Sequence, residues 1–148
     1  MKQIVFITII IFTFFIINST LLIAQEYTTD ANTVLLLHMN ETSGNTVSDV
    51  SGNNNNGTSS NMTIVSGKFG NARQGNGSNG YIQVLNSTSL NPTNITVECW
   101  VKFFNVSTQA DNIIDKDGDN AYGRFALRRE PWPGPTRAIS FTMGGFGE

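Results

Sequence analysis

Apolar and polar residues alternate along one stretch of the chain, residues 94–104. Side chains of a strand point alternately to the two faces of a sheet, so every second residue shares an environment. One face would carry Ile95, Val97, Cys99, Val101 and Phe103, and the other Thr96, Glu98, Trp100 and Lys102. The pattern predicts a core strand in an antiparallel sheet, with one buried face and one that is partly solvated or covered.

Shorter strands are expected on both sides of this stretch. The nearly continuous apolar run over residues 33–39 is typical of a strand buried on both faces. Further candidate strands cover residues 46–47, 62–65, 81–85, 112–115, 122–129 and 138–143. Clusters of Gly, Asn, Ser and Pro separate them, and residues 33–104 show no sustained 3.6-residue apolar period. The pattern predicts an all-β sandwich or barrel whose last two strands form a hairpin.

The first 24 residues have the pattern of a secretory signal peptide. Lys2 precedes an apolar run from Ile4 to Ile17, and Ala24 precedes a polar residue. The run is short for a membrane span, which needs roughly 20 apolar residues. We expect cleavage after Ala24, a flexible lead over residues 25–32 and one domain over residues 33–148; an uncleaved anchor is the alternative. In both cases the domain would be exported, either secreted or displayed at the cell surface.

Composition narrows the range of partners. The formal net charge is −2, with no basic stripe and no basic amphipathic helix, so we expect neither nucleic acid nor a membrane beyond the signal segment. Cys99 is the only cysteine, and its place on the apolar face predicts a small buried hydrophobe. His38 is the only histidine and has no Cys nearby, so we expect it to bond the backbone rather than a metal.

The order of the motifs resembles the LamG-like jelly-roll domain, a member of the concanavalin A-like lectin and glucanase group. The matching segments are Glu41-Thr-Ser-Gly44, Asp49-Val-Ser-Gly52, Gly67-Lys-Phe-Gly-Asn-Ala72, Gly80-Tyr-Ile-Gln-Val84, Ser89-Leu-Asn-Pro92, the alternating residues 95–102 and Ile113-Ile-Asp-Lys116. The resemblance implies an antiparallel jelly-roll sandwich with any binding site in rim loops or on a concave face.

Two departures from the family pattern affect these expectations. Gln74-Gly-Asn-Gly77 stands where family members often have Phe-Asp-Gly, so a carboxylate is missing before the strand at Tyr81. The sequence also ends before the family's usual later strands. We therefore expect a jelly roll that is incomplete at its C-terminus, as in a truncated domain or a fragment, with exposed sheet edges.

A calcium site is one candidate, in the loop that follows residue 114. Asp115, Asp117 and Asp119 place carboxylates at alternate positions, and a hard cation binds several oxygens. The helix-flanked calcium loop has Gly sixth and Glu twelfth, whereas Ala126 occupies the twelfth position here. A solvated turn between two strands is the alternative. Calcium is the one cofactor that the sequence suggests.

Carbohydrate binding is a second candidate. Sugar sites combine an aromatic ring with polar groups that bond hydroxyls, and Trp132 and Tyr122 could supply the ring. Trp132 lies between prolines, so it could equally clamp the tip of the predicted hairpin. Trp100 could pack beneath a covering segment.

Catalysis is not expected from these residues. Retaining glycosidases need two converging carboxyl groups, and glucanase relatives carry them on one strand as Glu-x-Asp-x-x-Glu, a spacing absent here. The sequence therefore predicts a non-catalytic binding or adhesion module for an extracellular glycan or protein. The alternative is a carbohydrate-binding appendage of a secreted glycoside hydrolase or another polysaccharide-acting enzyme.

Overall fold

The chain forms antiparallel β-structure. A computed structural model describes residues 25–104, 110–116, 125–130 and 138–144. The strands within these ranges are β1 (Thr46–Val47), β2 (Gly57–Ser60), β3 (Met62–Ser66), β4 (Asn71–Gly75), β5 (Tyr81–Val84), β6 (Asp111–Lys116), β7 (Phe125–Glu130) and β8 (Ala138–Met143), with a 3-10 helix at Thr88–Leu90. The predicted all-β antiparallel class is confirmed.

The described strands form three sheets. In the first, β2 lies between β1 and β5, and in the second β3 and β4 form a hairpin. In the third, β7 lies between β6 and β8, with Phe125 opposite Met143 and Glu130 opposite Ala138. The hairpin predicted for the last two strands is therefore confirmed.

Residues 33–39 differ from the prediction of a strand buried on both faces. They are half-buried, and their one ladder contact is an isolated bridge between Leu37 and Asp49. Loop side chains take up the backbone groups instead: the Asp49 carboxylate accepts the Leu36 N–H at 3.0 Å, and the Asn55 amide donates to the Val34 carbonyl at 3.0 Å. Side chains therefore pair with part of the backbone of this run, where a neighbouring strand is expected.

Asp49 organises the loop that follows β1. Its carboxylate also accepts the N–H groups of Ser51 and Asn55, both at 2.9 Å, and the Ser51 hydroxyl at 2.8 Å. Partial burial alone would raise the pKa of Asp49, but these hydrogen bonds to the charged form outweigh burial and lower it. Asn55, itself buried, donates to the Ser89 hydroxyl and ties this loop to the 3-10 helix.

The prediction of a core strand at residues 94–104 is wrong. Within the described part of the chain this segment has no assigned strand, and only Ile95 and Val97 of its apolar residues are half-buried. Cys99, Val101 and Phe103 are exposed, so Cys99 is not the buried hydrophobe that the sequence predicts. An alternating pattern tells which residues share a side, but burial needs a partner strand to pair with the backbone.

Side chains hold this segment in place. The Arg129 guanidinium lies 5.7 Å from the Phe103 ring centroid and contacts the Asp111 carboxylate through Nε at 2.8 Å. Lys116 Nζ donates to the Leu90 carbonyl. These contacts connect the third sheet to the chain around the 3-10 helix and to the end of the 94–104 segment.

The apolar core of the described residues is small. Val47 is 0% exposed and Ala126 is 4% exposed, and they are the only fully buried hydrophobic residues in the described ranges. Ile139, Phe141 and Met143 lie on one face of β8, as their alternation predicts, and all three are exposed. Much of the apolar surface of the described residues therefore faces water.

Candidate functional site

The turn between β3 and β4 carries Lys68, which is exposed, and Phe69, which is half-buried. The Gly67 N–H donates to the Gly70 carbonyl at 2.8 Å and closes the turn. Gly70 has φ +61°, in the left-handed region, and a Cβ at this position would clash with Asn40 Oδ1. The segment Gly67-Lys-Phe-Gly-Asn-Ala72 therefore contains a tight hairpin turn.

A polar network anchors this hairpin to the segment before β1. Asn40 Oδ1 accepts the Asn71 N–H at 3.0 Å, and the Asn71 side chain donates to the Glu41 carbonyl at 3.0 Å. Arg73, whose side chain is 1% exposed, donates to the Thr46 carbonyl at 3.1 Å and to Glu41 Oε2 at 3.3 Å.

The network around Glu41 favours its ionised form. Its partial burial would raise the pKa, but the Ser48 N–H at 2.7 Å and the Arg73 guanidinium stabilise the carboxylate and lower the pKa instead. The charged pair therefore keeps the base of the hairpin fixed at neutral pH.

Trp100 packs against this hairpin tip. Its ring centroid lies 6.3 Å from that of Phe69, at an interplanar angle of 81°, which is the edge-to-face arrangement that aromatic pairs favour. Trp100 nevertheless remains 77% exposed. The contact orients the indole while most of its surface stays open to water.

Two lysines lie beside the exposed rings of Trp100 and Phe104. Lys68 Nζ lies 5.5 Å from the Trp100 ring centroid, and Lys102 Nζ lies 5.0 Å from that of Phe104, which is 65% exposed. Contacts of this kind contribute about 0.5–1 kcal/mol each at exposed sites. We refer to Lys68, Phe69, Trp100, Lys102 and Phe104 together as the aromatic surface.

The residues that the sequence proposes as sites are only partly described. Trp132, Tyr122, Asp117 and Asp119 lie outside the described residues. Asp115 is exposed at the end of β6, accepts a hydrogen bond from the Asn112 amide at 2.8 Å and lies 3.7 Å from Arg128. The sugar site at Trp132 and the calcium site remain predictions.

His38 bonds the backbone, as the sequence predicts. Its Nε2 lies 3.0 Å from the Tyr27 carbonyl, and its Nδ1 lies 3.5 Å from Glu26 Oε1. Glu26 Oε1 also accepts the Asn40 amide at 2.8 Å, so the segment after residue 24 reaches the network beneath the hairpin. No group of three or more His, Cys, Asp or Glu side chains suited to a metal occurs among the described residues.

The sequence does not predict the aromatic surface, although the alternation over residues 94–104 contains part of the evidence for it. The alternation over residues 94–104 already separates Trp100 and Lys102 from the apolar positions. The contact with Lys68 and Phe69 could not be found in this way, because those residues come from a distant hairpin and are brought close only by the fold.

Comparisons with known proteins bear on the fold. The sequence matches no family model and no curated protein. No helix in the described ranges is both long and apolar enough to cross a membrane. Among solved structures, the fold is similar to that of an S-layer domain-containing protein from Clostridium thermocellum, with a TM-score of 0.52. The match covers 77% of this chain and 58% of that chain at 19% sequence identity. The similarity concerns the β-fold alone.

Proposed function

We propose that this protein is a secreted or cell-surface, non-catalytic binding module of the LamG-like jelly-roll type, and that it binds extracellular carbohydrate at the aromatic surface. The observation that carries the proposal is Trp100, which is 77% exposed yet oriented by Phe69. A large side chain that is both fixed and open to water is suited to contact a ligand.

Carbohydrate is the ligand class that this chemistry favours. The C–H groups of a pyranose ring form an apolar face that packs on an indole or phenyl ring, while hydroxyl groups bond nearby polar side chains. Trp100 and Phe104 supply rings, and Lys68 and Lys102 supply donors beside them. The sites of a ligand-binding fold commonly lie in its loops, as these residues do.

Export and surface placement rest on the signal-peptide pattern of residues 1–24. The fold similarity to an S-layer domain-containing protein is consistent with a cell-surface role. The non-catalytic part of the proposal rests on the sequence, in which the Glu-x-Asp-x-x-Glu spacing of glucanase relatives is absent.

A glycan array followed by titration of the strongest oligosaccharide tests the proposal. We expect Trp100→Ala to weaken binding about tenfold or more, since truncating an anchoring aromatic residue costs roughly 1–2 kcal/mol or more. Tyr81→Ala is the matched control, because Tyr81 is exposed but belongs to β5 in the first sheet. The affinity of the Tyr81→Ala variant for the oligosaccharide should equal that of the unmodified protein.

Two results would count against this site. Loss of binding in Trp132→Ala with full binding in Trp100→Ala would place the site at Trp132 instead. Absence of binding to every glycan, with the protein folded by circular dichroism, would reject the carbohydrate-binding function itself.

A further inference from the structure

The cations of the aromatic surface differ from the other cations of the described chain. Arg73 contacts Glu41, Arg128 contacts Asp115, and Arg129 contacts Asp111. Lys116 donates to Leu90 and Asn91. Each of these side chains therefore has an oxygen partner within the protein.

Lys68 and Lys102 contact aromatic rings instead. Within the described part of the chain, neither ammonium group forms a hydrogen bond or an ion pair, and their recorded contacts are with Phe69, Trp100 and Phe104. Two positive charges without carboxylate partners thus lie beside exposed rings, in a protein with a net charge of −2. Charges placed in this way remain available to an external anion.

The chain length between the two rings bounds the length of ligand that is needed to contact both. Trp100 and Phe104 are four residues apart, so their Cα atoms are separated by at most about 14 Å. A ligand of a few sugar units is long enough to contact both rings. Because the Lys68 ammonium lies 5.5 Å from the Trp100 centroid, substituents of a sugar stacked on that ring would lie within its reach.

We propose that the aromatic surface binds an anionic oligosaccharide or polysaccharide, in which sugar faces pack on Trp100 and Phe104 and acidic substituents pair with Lys68 and Lys102. This inference rests on the proposed carbohydrate-binding function and adds the charge of the ligand. A lysine ammonium is a point charge rather than a planar fork, so carboxylate, sulfate and phosphate substituents share the chemistry that it recognises.

Glu98 provides an opposing charge and a useful control. It is exposed in the same segment, two residues before Trp100. A carboxylate so close to the site repels an acidic ligand. Removing it should strengthen binding of an acidic glycan, whereas removing the lysines should weaken it.

Calorimetric titration with matched tetrasaccharides tests the inference. The probes are a galacturonic acid tetramer, a sulfated galactose tetramer and the neutral galactose tetramer. We expect both acidic probes to bind about fivefold more tightly than the neutral probe at 0.1 M salt, the size expected of two exposed ion pairs. The ratio should fall towards one at 1 M salt, where the Debye length shortens to about 3 Å.

Substitutions separate charge from stacking. The double variant Lys68→Gln, Lys102→Gln should lower the ratio of acidic to neutral affinity to about one, and Glu98→Gln should raise it. Trp100→Ala should weaken binding of all three probes. A thermal melt of each variant establishes that it is folded.

Several outcomes would overturn the inference. Equal affinity for acidic and neutral tetramers, or an unchanged ratio in the double lysine variant, removes the anionic preference while the carbohydrate-binding function stands. No binding of any tetramer or array glycan removes both. Sedimentation that shows self-association lost in Trp100→Ala would assign this surface to contact between copies of the chain.

Discussion

At the scale of single residues, short polar side chains do much of the work that backbone pairing does in a regular sheet. Asp49 accepts hydrogen bonds from three backbone N–H groups and one hydroxyl, and Asn40 joins the hairpin tip to Glu26. Such side chains can bond backbone groups that have no strand partner. The abundance of Asn and Ser in the loops therefore has a structural role as well as a solvating one.

The substitution Asp49→Asn tests this role. The amide nitrogen cannot accept a hydrogen bond, so we expect the free energy of unfolding to fall by about 1–3 kcal/mol at pH 7, measured by urea denaturation. The folded-state pKa of Asp49 lies below its unfolded value, so its stabilising contribution is full above the unfolded pKa and is lost as pH falls through the folded pKa.

The difference between the two proteins should therefore shrink below about pH 4. Glu98→Gln, which neutralises an exposed carboxylate, is the control and should change stability little. A difference that stays constant from pH 7 to pH 3 would show that the Asp49 charge does not stabilise the loop.

At the scale of elements, the sequence predicts some strands closely but gives none at β2 or β4, although β4 is the hairpin partner of β3. The hairpin of β7 and β8 follows from two alternating segments that face each other, and β3 and β5 are found within one residue of their ends. Residues 94–104 have an equally clear alternation but no assigned strand. These segments differ in whether a partner strand pairs with them. Pairing depends on distant parts of the chain, which a local pattern does not encode.

The aromatic surface shows the same limit. Trp100 could be placed on the more polar side of its segment from alternation alone. Its contact with Phe69 depends on the anchoring of the β3–β4 turn by Asn40 and Asn71. No sequence pattern expresses that contact, since it joins two elements through their side chains.

Comparing two glycines tests the anchoring of this turn. Gly70 and Gly77 both have positive φ, but an added Cβ would meet Asn40 at Gly70 and open space at Gly77. We expect Gly77→Ala to destabilise the protein by about 1 kcal/mol, the cost of the left-handed conformation alone. Gly70→Ala should cost clearly more in a denaturant titration, and it should also weaken glycan binding because Lys68 and Phe69 would move. Equal losses would mean that Asn40 does not fix the turn.

At the scale of the whole molecule, apolar area is distributed unusually. Within the described ranges only Val47 and Ala126 are fully buried hydrophobic residues, whereas Ile139, Phe141 and Met143 form an exposed row on β8. A strand that carries such a row favours pairing or packing with another copy of the chain. Stability and solubility are therefore linked in this protein.

We expect the protein to self-associate as its concentration rises, as seen by sedimentation velocity. The double variant Ile139→Thr, Phe141→Thr should reduce association, because Thr favours strand structure but removes apolar area. Thr142→Ala, on the opposite face of β8, is the control and should behave as the unmodified protein. A protein that stays monomeric at the highest concentration would contradict this expectation.

The contact between Asn40 and Glu26 also bears on how the protein can be produced. Asn40 begins an Asn-Glu-Thr sequon, and its side-chain nitrogen is the atom that donates to Glu26 at 2.8 Å. A host that attaches N-linked glycans would modify this nitrogen and crowd the space beside Gly70. Preparations from a eukaryotic secretory host and from a bacterial host should then differ in the position of the β3–β4 turn, and with it in affinity for the proposed carbohydrate ligand.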